Sequence, residues 1–383
     1  MKTPLIILFT FLSLSKATCQ TYPSFGNEKD VTINGLAHDA MEPYISADGN
    51  YLFFNNLNDG INTKIYYANK VNDSTFNFVG ELSGTNQTTQ PFLDAVPDID
   101  SLSNFYWTST RNYPADLDNL FHGSFSSGNV TNIGRVRGDF NKNIPGWLVM
   151  DHTISIDGQL LYYNNARLNS ETCLGPCETE IGIAQKQNDS TFNKIPNSDT
   201  ILQYINDTSY IYYAPCISSD NLEFYYTRYP KGEISTSTIF EICVSVRYSK
   251  EDVFSSPKML FTGVIEAPTL TLDKKIMYYH RKVSGIHKIV MRYRLTEVNI
   301  ANPHAQTLKS LMVFPNPAKN EIHIQPVGSY APYLISIYSI TGELVKTEHN
   351  QNIISVEQLS PGIYFLKAVI YDKTLSGKFV KFE

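Results

Sequence analysis

Five copies of one short segment govern what this chain can fold into. They read PYISADGNYLFFNN from Pro43, PDIDSLSNFYWTST from Pro97, HTISIDGQLLYYNN from His152, PCISSDNLEFYYTR from Pro215 and PTLTLDKKIMYYHR from Pro268. Each reads as a strand, a turn marked by Asp, Asn or Gly, and a second strand rich in aromatic residues. The inner aromatic recurs as Phe54, Trp107, Tyr163, Tyr226 and Tyr279, at spacings of 53, 56, 63 and 53 residues. A unit of that length cannot bury its own apolar face, so neighbours must stack.

The rest of each unit supplies two more strands. A third strand is expected at 64–68, 119–123, 180–184, 239–244 and 288–292, and an outer strand follows it. The hexapeptide NDSTFN occurs twice, at 72–77 and 188–193, where it opens the outer strand of the first and third units; 251–254 is its counterpart in the fourth. Four strands per unit, five times over, predict a five-bladed β-propeller, and a six-bladed alternative needs a further unit of about fifty residues. The fifth unit ends near Leu295 without an outer strand, so residues 31–35 are expected to close the last blade and remove two open sheet edges.

The repeated segment resembles the WD40-like propeller repeats of the Tol translocation protein type. The carrying residues are Ser46-Ala47-Asp48-Gly49 and Ser155-Ile156-Asp157-Gly158; Asp220 and Asp273 keep the Asp without the Gly, and the second unit has only Asp100. That Asp is expected to cap the turn by accepting backbone N–H groups.

The two ends are of another kind. Residues 1–19 combine a Lys, an apolar run too short to span a bilayer, and small residues, and read as a secretory signal cleaved before Gln20. From Val313 the chain runs VFPNPAKNEIHIQP, YLISIYSITGELVKT and ISVEQLSPGIYFLKAVIYDKTLSGKFVKF, period-2 segments split by turn residues that predict a small antiparallel, immunoglobulin-like sandwich. Pro315-Asn316-Pro317, the YSITG and LSPGIY segments and the closing KFVK closely resemble the C-terminal sorting domain of type IX secretion cargo. The resemblance implies export through the periplasm to the outer cell surface or the medium, with the type IX machinery as partner. The expected division is a signal at 1–19, a propeller at 20–300, a linker at 301–310 and a sorting domain at 311–383.

Without the signal, four cysteines remain. Cys173 and Cys177 are close enough to form a disulfide in an exported protein, whereas Cys216 and Cys243 fall on strands two spacings apart, beyond disulfide reach, and are expected as buried thiols. The 31 basic and 37 acidic residues form no basic tract, which argues against nucleic acid. No transmembrane segment, cofactor motif or metal-spaced ligand pair stands out; His38, His152 and His280 lie on separate segments.

In a propeller, blade-joining loops and the loops after the second strands open on one face. The repeat puts Asp39, Glu42, Asp94, Asp151, His152 and Glu266 near the first set, and Arg111, Arg167, Arg228 and Arg281 just after the second strands, with Tyr113 and Tyr229 in the loops. The candidate ligand-binding mouth is therefore Asp39, Asp94, Asp151, Arg111, Arg167, Arg228, Glu266 and Arg281. Arginine forks would grip carboxylates, and tyrosines would stack on sugars. This favours a non-catalytic module for a glycan, peptide or surface partner over the alternative, a carbohydrate-active hydrolase or lyase. An enzyme would need two carboxylates at the floor of the mouth, free of the arginines.

Overall fold

The computed structural model describes residues 21–295 apart from 90, 169–172, 174, 233 and 235–237, and residues 311–383 apart from 312, 325–332 and 371–372. The expected signal at 1–19 and linker at 301–310 lie outside the described residues. The chain divides into two compact units, Met1–Thr296 and Glu297–Glu383.

Among the described residues, the first unit holds five sheets. Their inner strands are Met41–Ile45, Phe92–Ile99, Trp147–Ile154, Tyr210–Ile217 and Ile265–Leu270. Each packs beside the next in chain order, and the fifth returns to the first, giving a propeller-like ring. The second strands, Tyr51–Asn55, Asn104–Ser109, Leu160–Leu168, Glu223–Pro230 and Ile276–Val283, carry the aromatic core. Phe53, Phe54, Tyr106, Trp107, Tyr162, Tyr163, Tyr225, Tyr226, Tyr278 and Tyr279 are all almost fully buried between adjacent sheets. A consecutive aromatic pair serves both faces of a strand, because successive side chains point to opposite sides.

Every inner strand breaks register against its second strand, between Met41 and Tyr44, Ala95 and Asp98, Val149 and Asp151, Tyr213 and Cys216, and Glu266 and Thr269. In four units the residue before the Pro is left-handed: Glu42 at φ 50°, Val96 at 55°, Ala214 at 48° and Ala267 at 57°. Pro disfavours right-handed helical geometry in the residue before it and offers no N–H to the ladder, so a bulge forms there and re-aims one side chain per unit.

The residue after each inner aromatic clamps the bulge of the next sheet. Asn55 Oδ1 accepts from Val96 N at 3.2 Å, Thr108 Oγ1 donates to Val149 O at 3.4 Å, Asn164 Nδ2 donates to Tyr212 O at 2.9 Å and Thr227 Oγ1 accepts from Ala267 N at 3.0 Å. In the fifth sheet the same position is His280, whose Nδ1 accepts from Glu42 N at 3.1 Å. One side chain per sheet thus bonds a backbone group at or beside the next sheet's bulge, where ladder pairing is interrupted; Val149 O accepts from Asn119 Nδ2 as well.

The duplicated hexapeptide has a physical reason. In both copies the Asn side chain accepts from the Ser N–H at 3.0 Å and closes the turn. The Phe is fully buried and meets the outer tyrosine of the preceding sheet edge-on: Phe76 against Tyr278 at 6.0 Å, and Phe192 against Tyr106 at 6.3 Å. The Ser carbonyl takes a backbone bond from the preceding sheet's exit strand, Thr32 N to Ser74 O and Arg137 N to Ser190 O, each at 2.8 Å. NDSTFN is therefore a socket for the neighbouring sheet.

Two strand assignments are corrected. Residues 31–35 do not close the fifth sheet; Ser24–Phe25 and Lys29–Asp30 do, pairing with Ile286–Leu295. Thr32–Asn34 runs parallel to Thr75–Glu81 on the first sheet instead, the same exit-strand position that Arg137 takes beside Thr191. In the fourth unit, 251–254 is not the outer strand, which is Lys258–Gly263. Ser249 N donates to Asp252 Oδ2 and folds this segment into a turn, yet Phe254 remains fully buried, 5.5 Å from Phe224. It fills the socket without joining the ladder.

The turn aspartates cap as expected. Asp48, Asp157, Asp220 and Asp273 each accept from the hydroxyl two residues before and the N–H two residues after, and Asp100 accepts from Leu102 N and Asn104 N. A disulfide joins Cys173 to Cys177, and Cys216 and Cys243 are buried free thiols.

The second unit holds two sheets over one core. Val313–Phe314, Glu321–Ile324 and Ile353–Ser355 form one; Leu344–His349, Tyr333–Ser339, Gly362–Ile370 and Lys373–Lys381 form the other. Ile322, Ile335, Ile337, Leu366 and Phe379 are buried between them.

Candidate functional site

The bulges aim one residue per sheet at the ring centre: Glu42, Val96, Asp151, Ala214 and Ala267. Of these, Glu42, Val96 and Asp151, with the neighbouring Ala95, Met150, Tyr213 and Glu266, supply the floor of a cavity of about 370 Å³, walled by Leu93, Leu148, Tyr229, Ile234 and Phe240. Beneath lies a throat of about 30 Å³, lined by Pro43, Pro97, His152, Pro215 and Pro268 with Tyr44, Asp98 and Cys216. Further along the same strands, Ile45, Ile154, Ile217 and Leu270 line the other end.

Three carboxylates from three sheets meet in this cavity. Glu42 Oε1 accepts from Asn58 Nδ2 at 2.8 Å, and Glu266 Oε2 accepts from the Tyr213 hydroxyl at 2.8 Å. Asp151 is 2% exposed and takes a bond from the backbone of Ala214. Glu42 Oε2 and Asp151 Oδ2 have no hydrogen-bond partner. Among the described residues, no arginine lines the cavity. Lys282 influences Glu266 through space, and the neutral His280 has its Nε2 4.0 Å from Glu266 Oε1.

Ionisation is accordingly disfavoured. Burial raises the Glu42 carboxyl well above its ordinary range, and the charges of Asp151 and Glu266 add to it against the Asn58 bond. Burial raises Asp151 as well; the Ala214 bond opposes this and the Glu266 charge reinforces it. Glu266 is raised by burial, against the Tyr213 hydroxyl and Lys282. In the throat, burial pushes Asp98 up to about 7 against a 3.0 Å bond from Ile154 N. His152 and His280 are pushed down to about 3 by burial, so both are neutral.

Of the eight residues proposed from sequence, the fold brings Asp151 and Glu266 to the cavity. The other six are engaged elsewhere. Asp94 is fully buried and paired with Arg111 at 2.9 Å. Arg167 pairs with Glu178 at 3.1 Å and Arg228 with Glu241 at 2.7 Å, each between the second and third strands of its own sheet. Arg281 pairs with Glu28 of the N-terminal segment. Asp39 accepts from His287 N at 2.7 Å, in a separate groove. Tyr229 lines the cavity, whereas the Tyr113 hydroxyl donates to Trp147 O at 3.2 Å.

Glu42 was absent from that set of eight, although it precedes Pro43 as Asp151 precedes His152, and that alignment is the signal which places it. Tyr213 and the apolar walls had no signal in the repeat. Among the described residues, no group of three or more His, Cys, Asp or Glu side chains is arranged to hold a metal ion.

Residues 312–381 match the family of secretion system C-terminal sorting domains. The chain carries a type IX sorting domain. It is thereby marked as a secreted or cell-surface protein, and no helix among the described residues is long and apolar enough to cross a membrane. A search of curated proteins finds no match to the chain. Among solved structures, the chain is similar to an endo-arabinase from Bacteroides thetaiotaomicron, with 17% identity, 69% of this chain and 97% of that one covered, and a TM-score of 0.46. It is also similar to an α-L-arabinofuranosidase from Podospora anserina, with 9% identity, coverage of 71% and 96%, and a TM-score of 0.45. TolB from Acinetobacter baumannii gives 9% identity, 67% and 54%, and 0.35. At these values no residue role or activity is carried over.

Proposed function

We propose that this chain is type IX cargo made of a signal at 1–19, a five-bladed β-propeller at 20–300, a linker at 301–310 and an immunoglobulin-like sorting sandwich at 311–383. In this reading the propeller is an exported binding module that receives a protruding group of a peptide, glycan or surface partner at the ring mouth. One observation carries it: Glu42, Asp151 and Glu266 converge from three sheets on one concave, largely apolar cavity, with no lysine or arginine among its described lining residues. Burying carboxylates without a counter-charge costs several kcal/mol in stability, and such an arrangement in a cleft points to a ligand. The four arginines expected at the mouth from the sequence are each paired with a carboxylate, so the reading rests on the three acidic residues instead.

A second reading, a carbohydrate-active hydrolase or lyase, is favoured by the convergence of three carboxyls in one cavity. General acid–base cleavage of a glycosidic bond requires a pair of carboxyls with one held protonated, and burial raises all three here. Glycan and peptide arrays on the secreted protein, with reducing-sugar release followed on every hit, separate the two. Binding without turnover, lost in Asp151→Asn, supports the module; turnover lost in Asp151→Asn or Glu266→Gln with binding retained establishes the enzyme. Hits unaffected by either substitution place the binding surface away from the ring mouth.

A further inference from the structure

The chemistry of the cavity narrows what its occupant must be, given the reading of the mouth as a binding site. Leu93, Leu148, Ile234 and Phe240 make its walls apolar, and Ala95, Val96 and Met150 add apolar surface at the floor, so the body of the occupant is apolar. The floor is acidic. Asp151, only 2% exposed, presents an Oδ2 with no donor, and Glu42 presents an unpartnered Oε2. Glu266 keeps one oxygen beyond its bond from Tyr213. The missing element is a positive charge carrying several N–H donors.

We propose that the mouth takes a primary ammonium group on an apolar stem, the side chain of a lysine presented by a peptide partner, with Glu42, Asp151 and Glu266 surrounding the nitrogen. An ammonium carries three donors on a compact head, which suits acceptors approaching from three separate sheets. A guanidinium is a flat fork that pairs best with one coplanar carboxylate, and the three sheets do not offer that. A four-carbon stem would lie along Leu93, Leu148 and Met150 while the head stays at the floor. A sugar fits less well, because its hydroxyls would face apolar walls over most of its surface and leave two acidic oxygens without a full charge partner.

The groups facing the floor are Asn58, Tyr213, Tyr229, His280 and, at longer range, Lys282. Of these, Tyr213 and Tyr229 stay protonated and His280 stays neutral through the range tested; the three carboxyls change charge there, as does Asp98 in the throat beneath, which burial pushes up to about 7. All three are raised, and each must ionise to hold a cation; an ammonium itself keeps its charge to about pH 10. Affinity therefore rises with pH from 6 to 8.5.

The test is calorimetry of the full secreted chain with three probes, n-hexylammonium, n-hexanol and Nα-acetyl-lysine methylamide, at pH 6.0, 7.5 and 8.5. The two amines are expected to bind at least 10-fold tighter than the alcohol, to tighten several-fold between pH 6.0 and 8.5 with proton release, and to weaken at least 10-fold in Glu42→Gln and in Asp151→Asn. Arg167→Ala, outside the cavity, leaves the amines unaffected. Hexanol binding as tightly as hexylammonium, amine binding indifferent to both carboxyl substitutions, or no binding at millimolar concentration overturns the proposal. Methyl glycosides provide the separating arm: their binding, lost in the same two variants, with amines inert, sinks the lysine inference and leaves the mouth as a binding site.

Discussion

His280 Nδ1 accepts a hydrogen bond from Glu42 N at 3.1 Å across 238 residues of sequence. It is the fifth member of a set whose other members are Asn55, Thr108, Asn164 and Thr227, and it joins the last sheet to the first. The same contact fixes the backbone that aims Glu42 into the cavity, so ring closure and site geometry depend on one bond. The buried imidazole of His280 is thus a clamp between sheets.

His280→Asn should preserve this bond, because an amide oxygen can accept from Glu42 N as Asn55 Oδ1 accepts from Val96 N. His280→Ala leaves a buried N–H unpaired and a void, and is expected to lose about 2–4 kcal/mol. Urea denaturation of both variants checks the ordering. Equal losses would mean that the ring's volume, not its hydrogen bond, matters.

Asp151 predicts a pH dependence with a definite sign. Its folded carboxyl is raised above its unfolded value, so the stability it contributes is fully present below the ordinary carboxyl range and is lost as pH rises through the raised value. Asp151→Asn removes that loss. The variant should match the parent near pH 4 and exceed it by about 1–3 kcal/mol near pH 9. Thermal unfolding across that range reads the difference, and a variant less stable than the parent at pH 9 contradicts the raised ionisation.

The arginines separate by what they would leave behind. Arg167 and Glu178 are both partly exposed, and Arg167→Ala should cost under about 1 kcal/mol. Arg111→Ala strands the fully buried Asp94, which among the described residues keeps the bond from Gln87 N, and should cost about 3–5 kcal/mol. Neither change should alter ligand binding at the cavity directly. A binding defect in Arg167→Ala with unchanged stability would return that arginine to the site.

Much of this was legible in the sequence because it repeats. The five inner aromatics and the turn aspartates recur at fixed offsets and mark local structure, so their strands and caps could be placed without coordinates. Pairing partners chosen across the ring leave no such offset. Arg111 could be put near the mouth from its position after a second strand, but nothing in the sequence says that Asp94 lies beside it. Glu42 was a different case: its alignment with Asp151 was visible, while the bulge that turns both side chains inward shows only in backbone angles. The N-terminal closure misled because residues 31–35 have better strand character than Ser24–Phe25 and Lys29–Asp30, and position beside an open edge decided the matter over propensity.

The socket reading of NDSTFN makes a prediction that distinguishes its residues. Phe192 is fully buried against Tyr106, and Phe76 against Tyr278, so either Phe→Ala change should cost about 3–5 kcal/mol. Asn188→Ala removes a turn bond to Ser190 N in an exposed loop and should cost only about 0.5–1.5 kcal/mol. Ser190 contributes through its carbonyl, which accepts from Arg137 N, so Ser190→Ala should be nearly silent although it alters the most polar part of the motif. Proline at Arg137 removes that donor while leaving the hexapeptide intact. If the hexapeptide acts as a socket for the second sheet, Arg137→Pro should raise hydrogen exchange at Phe192, whose N–H donates to Arg137 O at 2.9 Å, as well as in its own strand. Exchange confined to the second sheet would show that the two sheets open independently and that the duplicated motif serves its own sheet alone.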